Sequence, residues 1–515
     1  MALTETRPDT GADATSVGEQ AGPGPLELLL GSGDHLTVGR TFIGGSLMFL
    51  VLALVGRILV GIDLVGSDGL LGSLRTLTDL SSLVALLLLG VVPLLLGLGL
   101  AVVPLQVGSP AVAFPRAAAL SLWTWVLSGG VYLTSVVLNG GTGGGNDAAA
   151  RLGNVATGGL LVALGLGTVC VMTTVVAHRP LGMGLARVPL FSWSMLVGGA
   201  IWVLSFGSAF AHVLVGQITH AGAAGLLTNF SAGLAWLVRG PSIYMVAVPV
   251  LGIAGDLVAR TAGRRLANYF VFQTLIGAFA VLSFGAWAQL PASVQTAVWS
   301  LIALLVALPV LGLLGGLGDA LRRGPVTARP ELVGSLLSLL LLLGGAAAGA
   351  LQVLDNAGHG QLIGLRTSSL VLAQVLFVVG AALTGAVAGL LGWAPQLWGR
   401  SAEGGAPLGA VGLVVLGTAL AATAALVQGL VQIDGKDTAT AAFGVAVALG
   451  SAVVLLGVVT TLAAVLGAAR RGADDGAEDL TGPTLEWAGA PRALDADPVR
   501  SPYPLLDDAE DKENA

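Results

Sequence analysis

Histidine, cysteine and charge are all scarce in this chain. Its 515 residues include 5 His and 1 Cys, and only 10% are Asp, Glu, Lys or Arg. The lone cysteine, Cys170, excludes a disulfide framework and a thiolate metal cluster, and reads as a small apolar filler. Soluble domains carry about 25% charged residues. So little charge excludes a water-soluble enzyme, a nucleic-acid binder and a disordered chain. What is abundant is apolar or small: 55% hydrophobic residues, 77 Gly and a mean hydropathy of +0.89. Glycine without a collagen period fits membrane helices, where small residues let backbones approach closely.

A helical span needs about 20 apolar residues. Twelve such stretches occur, near 42–62, 83–106, 117–138, 155–177, 190–215, 231–258, 268–290, 295–317, 332–354, 367–392, 407–432 and 440–468. All are expected to be helices, because lipid offers no partner for an open backbone. The expected fold is therefore an all-α integral membrane bundle of twelve transmembrane helices. Residues 1–33 are polar and rich in Pro and Gly, and read as a flexible tail without the pattern of a signal peptide. With this N-terminal tail inside, one face of the membrane holds basic clusters such as Arg260, Arg264, Arg265, Arg322, Arg323, Arg329, Arg470 and Arg471. The other face holds only Arg75, Arg151, Arg366 and Lys436. The positive-inside rule then puts both termini in the cytoplasm and the chain in the cell membrane. Residues 472–515 carry 12 Asp/Glu against Arg492, Arg500 and Lys512. Such a composition predicts a solvated, disordered acidic tail. The loop Gly140-Gly141-Thr142-Gly143-Gly144-Gly145 lacks a strand and a Walker lysine, so it reads as a flexible loop, not a phosphate cradle.

Several motifs, in order, are similar to those of the heme-copper oxidase subunit I family (cytochrome c oxidase subunit I). Asp34-His35-Leu36-Thr37-Val38-Gly39 resembles its approach to the first helix. Val103-Pro104-Leu105-Gln106-Val107-Gly108-Ser109-Pro110 and Ala113-Phe114-Pro115-Arg116 resemble its loop after helix 2. Pro189-Leu190-Phe191-Ser192-Trp193-Ser194 resembles its start of helix 5, and Trp236 through Gly252 its helix 6. Trp287-Ala288 and the group Trp393, Pro395, Gly399 and Arg400 match helix 7 and the end of helix 10. The likeness covers about residues 34–430 and agrees with twelve spans.

The resemblance implies haem and copper, held by six histidines, because imidazole is a neutral ligand that both metals accept. This chain has five histidines in all: His35, His178, His212, His220 and His359. Position by position, the family's helix-2 haem ligand corresponds to Ser82. Its helix-6 copper ligand corresponds to Gly240 and its helix-7 pair to Gln289 and Leu290. The helix-10 pair falls on Ala373 and Val375, or on Gln374 and Leu376 in a register moved by one. The paired arginines of the family's last loop are replaced by Ile433-Asp434-Gly435-Lys436. The acid at a proton-channel mouth corresponds to Ala111 and the helix-6 glutamate to Ser242. Tyr244 stands at the position of the family's active-site tyrosine. No cofactor and no metal site is expected from these residues.

Charge within a span is costly and marks candidates for function. Three such residues stand out. Arg57, in helix 1, reads as snorkelling to the interface. Arg239 directly precedes Gly240, where a fixed cation disfavours a metal ion; it is expected to replace the lost site with a structural contact. Asp256 is expected to pair with Arg260 at i,i+4. His35 and His178 read as interface residues, while His212, His220 and His359 have the residue type of a novel metal site at a spacing that does not demand one. Together these readings point to a redox-silent pseudoenzyme of the respiratory chain. It would be a scaffold or assembly subunit with subunit II-like and subunit III-like partners in the lipid bilayer. Two alternatives stand beside it: a working terminal oxidase for aerobic respiration with unfamiliar ligands, and a proton- or ion-conducting protein.

Overall fold

The computed structural model describes residues 33–63, 71, 74–142, 144–219, 242–283, 297–323, 326–357, 369–402, 405–432, 440–471, 482–488 and 499–507. It is an all-helical bundle. We number the helices in chain order: α1 His35–Asp63, α2 Arg75–Gln106, α3 Pro115–Val137, α4 Asp147–Ala177, α5 Leu190–Ile218, α6 Ser242–Ala262, α7 Tyr269–Leu282, α8 Ala297–Arg323, α9 Pro330–Ala357, α10 Ser369–Gly392, α11 Gly405–Gln432 and α12 Thr440–Arg471. Among them, 11 contain a stretch long and apolar enough to cross a membrane. The exception is α7, whose described part ends at Leu282; the remainder of the expected span 268–290 lies largely outside the described residues. The expected multi-span bundle is thus observed.

Helix ends follow local chemistry. The Asn146 side chain accepts from the backbone N–H groups of Ala148 and Ala149 and so starts α4. Pro115 opens α3 at its first turn, where its missing N–H costs nothing. Gly263 ends α6 with φ +57°, a left-handed cap that favours glycine. Within α2, residues Ala85–Val91 are π-helical, just before Pro93. Widening of the turn frees carbonyls, and the Trp125 indole donates to the Leu88 carbonyl at 3.0 Å.

Burial sorts the helices into layers. The apolar stretches of α2, α6 and α10 are 100%, 94% and 89% buried, whereas those of α3 and α8 are only 33% buried. Three helices therefore form the centre, and their apolar runs on every face are what a fully enclosed helix requires. Helices α11 and α12 meet through glycine: a Cβ on Gly417 would come within 2.5 Å of the Gly450 carbonyl oxygen. Such close approach is how helices associate in lipid, where apolar burial gives no drive.

The C-terminal residues correct the expectation of a wholly disordered acidic tail. Residues 482–488 and 499–507 pack on one end of the bundle, here called the tail side. Leu485, Glu486, Trp487, Val499 and Tyr503 are buried there. The reason is local. A few large apolar side chains sit between the acidic clusters and find a surface that average composition does not reveal. Residues 1–32, 472–481, 489–498 and 508–515 lie outside the described residues.

Candidate functional site

Two buried polar groups stand out. The first is at the tail side. Asp256, near the end of α6, accepts from the backbone N–H groups of Leu190 at 3.0 Å and Phe191 at 2.9 Å. It thereby satisfies the open donors at the start of α5, and a carboxylate suits the positive end of a helix. Gln106, at the end of α2, donates from Nε2 to Asp256 at 2.9 Å and to Glu486 at 3.1 Å. Its Oε1 accepts from the Ser192 hydroxyl at 2.7 Å. The Trp393 indole donates to the same Glu486 oxygen, Oε1, at 3.4 Å. Burial pushes the Glu486 carboxyl above the usual glutamate range, against the lowering effect of the Gln106 hydrogen bond.

The expected Asp256–Arg260 pair does not form. Asp256 is committed to α5 and α2, while the Arg260 guanidinium lies 3.7 Å from the Trp487 ring centroid and donates to the Gly392 carbonyl at 2.7 Å. A cation over an indole face gains from the ring quadrupole. The aromatic partner comes from the tail, so i,i+4 spacing alone could not reveal this choice. Nearby, Arg265 pairs with Asp507, and the Tyr269 and Tyr503 rings meet edge to face at 5.5 Å. Arg187 donates to the Val499 carbonyl at 3.0 Å.

The second group lies deep in the bundle. Tyr244 is fully buried, and its hydroxyl accepts from Gln374 Nε2 at 2.9 Å. Gln374 Oε1 accepts in turn from Gln352 Nε2 at 3.0 Å. A phenol and two amides thus join α6, α10 and α9. Of the two α10 registers, it is Gln374 that meets Tyr244. Ala373 instead packs with Ala348 and Ala425, and Val375 belongs to the main apolar core.

Elsewhere on α10, Leu376 and Gly380 line a cavity of about 40 Å³ together with Arg57, Thr418 and Ser451. Arg57 is buried, not snorkelled to the surface, because it faces this space between α1, α10, α11 and α12. Ser82 is buried in α2, three residues before the π-helical turn begins at Ala85. The cavity lining contains no His, Cys or Met.

Other candidates are scattered. His35 is buried with Nδ1 3.7 Å from Asp34, His178 Nδ1 is 3.2 Å from the Ser109 hydroxyl, and His212 is exposed on α5. Cys170 is buried in α4. Among the described residues, no three His, Cys, Asp or Glu side chains converge as metal ligands. Arg239, Gly240, Gln289, Leu290, His220 and His359 lie outside the described residues. The tail-side network escaped sequence reasoning. The available signal is Gln106, the polar end of the long apolar run 83–105 of α2.

Comparison with known proteins agrees with this architecture. The family described as Cytochrome C and Quinol oxidase polypeptide I matches residues 37–466. A heme-copper oxidase subunit I+III of Aeropyrum pernix is 27% identical over 410 residues, covering 72% of this chain and 48% of that protein. A quinol oxidase subunit 1 of Bacillus spizizenii is 32% identical over 216 residues, covering 38% of this chain and 33% of that protein. The matches thus span half or less of these two relatives. In three dimensions, a cryo-EM structure of a heme-copper terminal oxidase dimer matches with a TM-score of 0.65 at 14% identity, covering 92% of this chain and 89% of that one. This last likeness establishes the fold.

Proposed function

The chain belongs to the Cytochrome C and Quinol oxidase polypeptide I family, and from that premise we propose that it is a redox-silent member serving as a scaffold or assembly subunit of a respiratory complex. The observation that carries this reading is the histidine count. Five histidines cannot supply six ligands; the resemblance puts one of them on Ser82 and a pair on Ala373 and Val375, or on Gln374 and Leu376, and none of these is a histidine. Neither a serine hydroxyl nor a carboxamide is among the side-chain groups that hold haem iron in the known ligation types.

The shape of the interior supports the same reading. The cavity lined by Arg57, Leu376, Gly380 and Thr418 measures about 40 Å³, room for about one water molecule. Pockets for drug-sized ligands run from about 300 to 1,000 Å³. A Cβ on Gly380 would come within 2.0 Å of Thr418 Cγ2, so α10 and α11 are in contact there. Among the described residues, those lining this cavity do not fit a haem: it is too small, and no His, Cys or Met faces it.

Purified protein is expected to give no stoichiometric haem in a pyridine haemochrome spectrum and no stoichiometric copper by elemental analysis. One haem or one copper per chain would overturn the proposal and favour a working oxidase. The partners we propose are subunit II-like and subunit III-like membrane chains; the Aeropyrum relative joins the I and III parts in one protein.

We further propose that both termini face the cytoplasm at the cell membrane, from the basic asymmetry of the loops. Epitope tags placed before residue 1 and after residue 515 should both stay hidden from antibody on intact cells. Labelling of either tag without permeabilisation contradicts this orientation.

A further inference from the structure

We propose that Asp256 and Glu486 form a proton-binding site, and that one proton held at Glu486 fastens the C-terminal residues 482–488 and 499–507 to the tail side of the bundle. The geometry begins with an unequal supply of donors. Asp256 receives three N–H groups, from Leu190, Phe191 and Gln106. Glu486 receives Gln106 at 3.1 Å and Trp393 at 3.4 Å, both on Oε1, with its own backbone N–H and the Thr484 hydroxyl also close by. Its Oε2 is buried without a hydrogen-bond partner. Two carboxyls therefore converge on one amide nitrogen, and Glu486 is the one left with an unpartnered oxygen. An unpartnered ionised oxygen is costly in a buried site, whereas the protonated acid loses much less on leaving water.

The surrounding charges leave that balance in place. From α6, Arg260 is committed to the Trp487 face and the Gly392 carbonyl. From the segment after α6, Arg265 is paired with Asp507. Helix α7 presents Tyr269 and the tail presents Tyr503, whose rings are stacked edge to face. Helices α2 and α5 contribute the neutral side chains of Gln106 and Ser192, and Trp393 follows α10. Arg187 is engaged with the Gly182 and Val499 carbonyls. None of these is a cation bonded to Glu486. Burial also raises the Glu486 carboxyl above its ordinary range.

The sign follows directly. A group whose acid form is favoured when docked binds more protons docked than free. Docking is then complete at pH below the ordinary glutamate range and is lost as pH rises through the raised value. One proton limits the change in the docking constant to about tenfold per pH unit.

The test uses the full chain in nanodiscs. A nitroxide is placed at exposed residue 488 through Ala488→Cys, with the buried native thiol removed by Cys170→Ala. The spin-label line shape is read from pH 5 to 9. The mobile fraction should rise with pH in the otherwise native chain. In Glu486→Gln, which keeps an Oε1 acceptor and cannot ionise, the label should stay immobile throughout. An invariant line shape in the native chain overturns the proposal. So does a Glu486→Gln variant that still follows the native pH curve, or one that is mobile at every pH.

Discussion

Removal of everything after Arg471 is expected to lower the melting midpoint of the detergent-solubilised protein by about 3–5 °C. The acidic composition of residues 472–515 argues for no effect at all, since such a segment buries no core of its own. The structure reverses that expectation because the segment does not need its own core. Trp487 is buried and covers Arg260, Leu485 joins the main apolar cluster, and Tyr503 meets Tyr269. Loss of one buried Trp typically costs about 3–5 kcal/mol. The ordering entropy of the docked residues offsets part of this. Trp487→Ala should therefore reproduce most of the truncation effect, and Asp507→Ala very little, because its exposed pair with Arg265 contributes only about 0–1 kcal/mol. The gap between full-length and truncated protein should widen toward acidic pH, since Glu486 docks best in its acid form. Equal midpoints for the two chains would show that the docked segment contributes no stability.

How much of this was readable in the sequence differs from element to element. The helices were legible because lipid enforces one solution on every long apolar run. Their layering was less so. Hydropathy alone cannot tell α2 and α10, enclosed on all sides, from α12, which keeps a lipid face. The tail was misread because an average over 12 acidic residues hides Leu485, Trp487 and Tyr503. Asp256 was recognised as a candidate, but its partners were not. They lie 65, 66 and 150 residues away, while the nearest cation on its own helix, Arg260, was the obvious neighbour. Gln374 illustrates a different limit. A one-residue ambiguity of register left Ala373 and Gln374 equally placed, and a rotation of about 100° decides which one faces Tyr244. Only packing settles that angle. Arg57 was placed correctly on α1, but whether an arginine snorkels or points inward depends on the neighbouring helices.

Asp256→Ala is expected to be the most damaging single substitution at the tail side. The carboxylate joins three helices. It terminates the open backbone donors of Leu190 and Phe191 on α5 from a position on α6, and it holds the Gln106 amide of α2. Alanine leaves all three donors buried, and each unsatisfied donor costs about 1–3 kcal/mol. The losses are not independent, because the freed end of α5 can shift toward other acceptors. A net loss of about 3–5 kcal/mol, as for the breaking of other buried charged contacts, is the expected size. Asparagine should be intermediate: its carbonyl still accepts, but its NH2 faces a second donor. Thermal unfolding gives the magnitude, and hydrogen exchange of a peptide spanning residues 188–194 gives the location. The chain truncated after Arg471 provides the control, since Leu190, Phe191 and Gln106 all remain there and only Glu486 is gone. If the cap is the joint, Asp256→Ala destabilises the truncated chain nearly as much as the full one. The double variant Asp256→Ala with Gln106→Leu should then lose less than the two single losses combined, because both remove the same bond. Unchanged exchange at residues 188–194 in Asp256→Ala would show that the start of α5 is held by something other than this carboxylate.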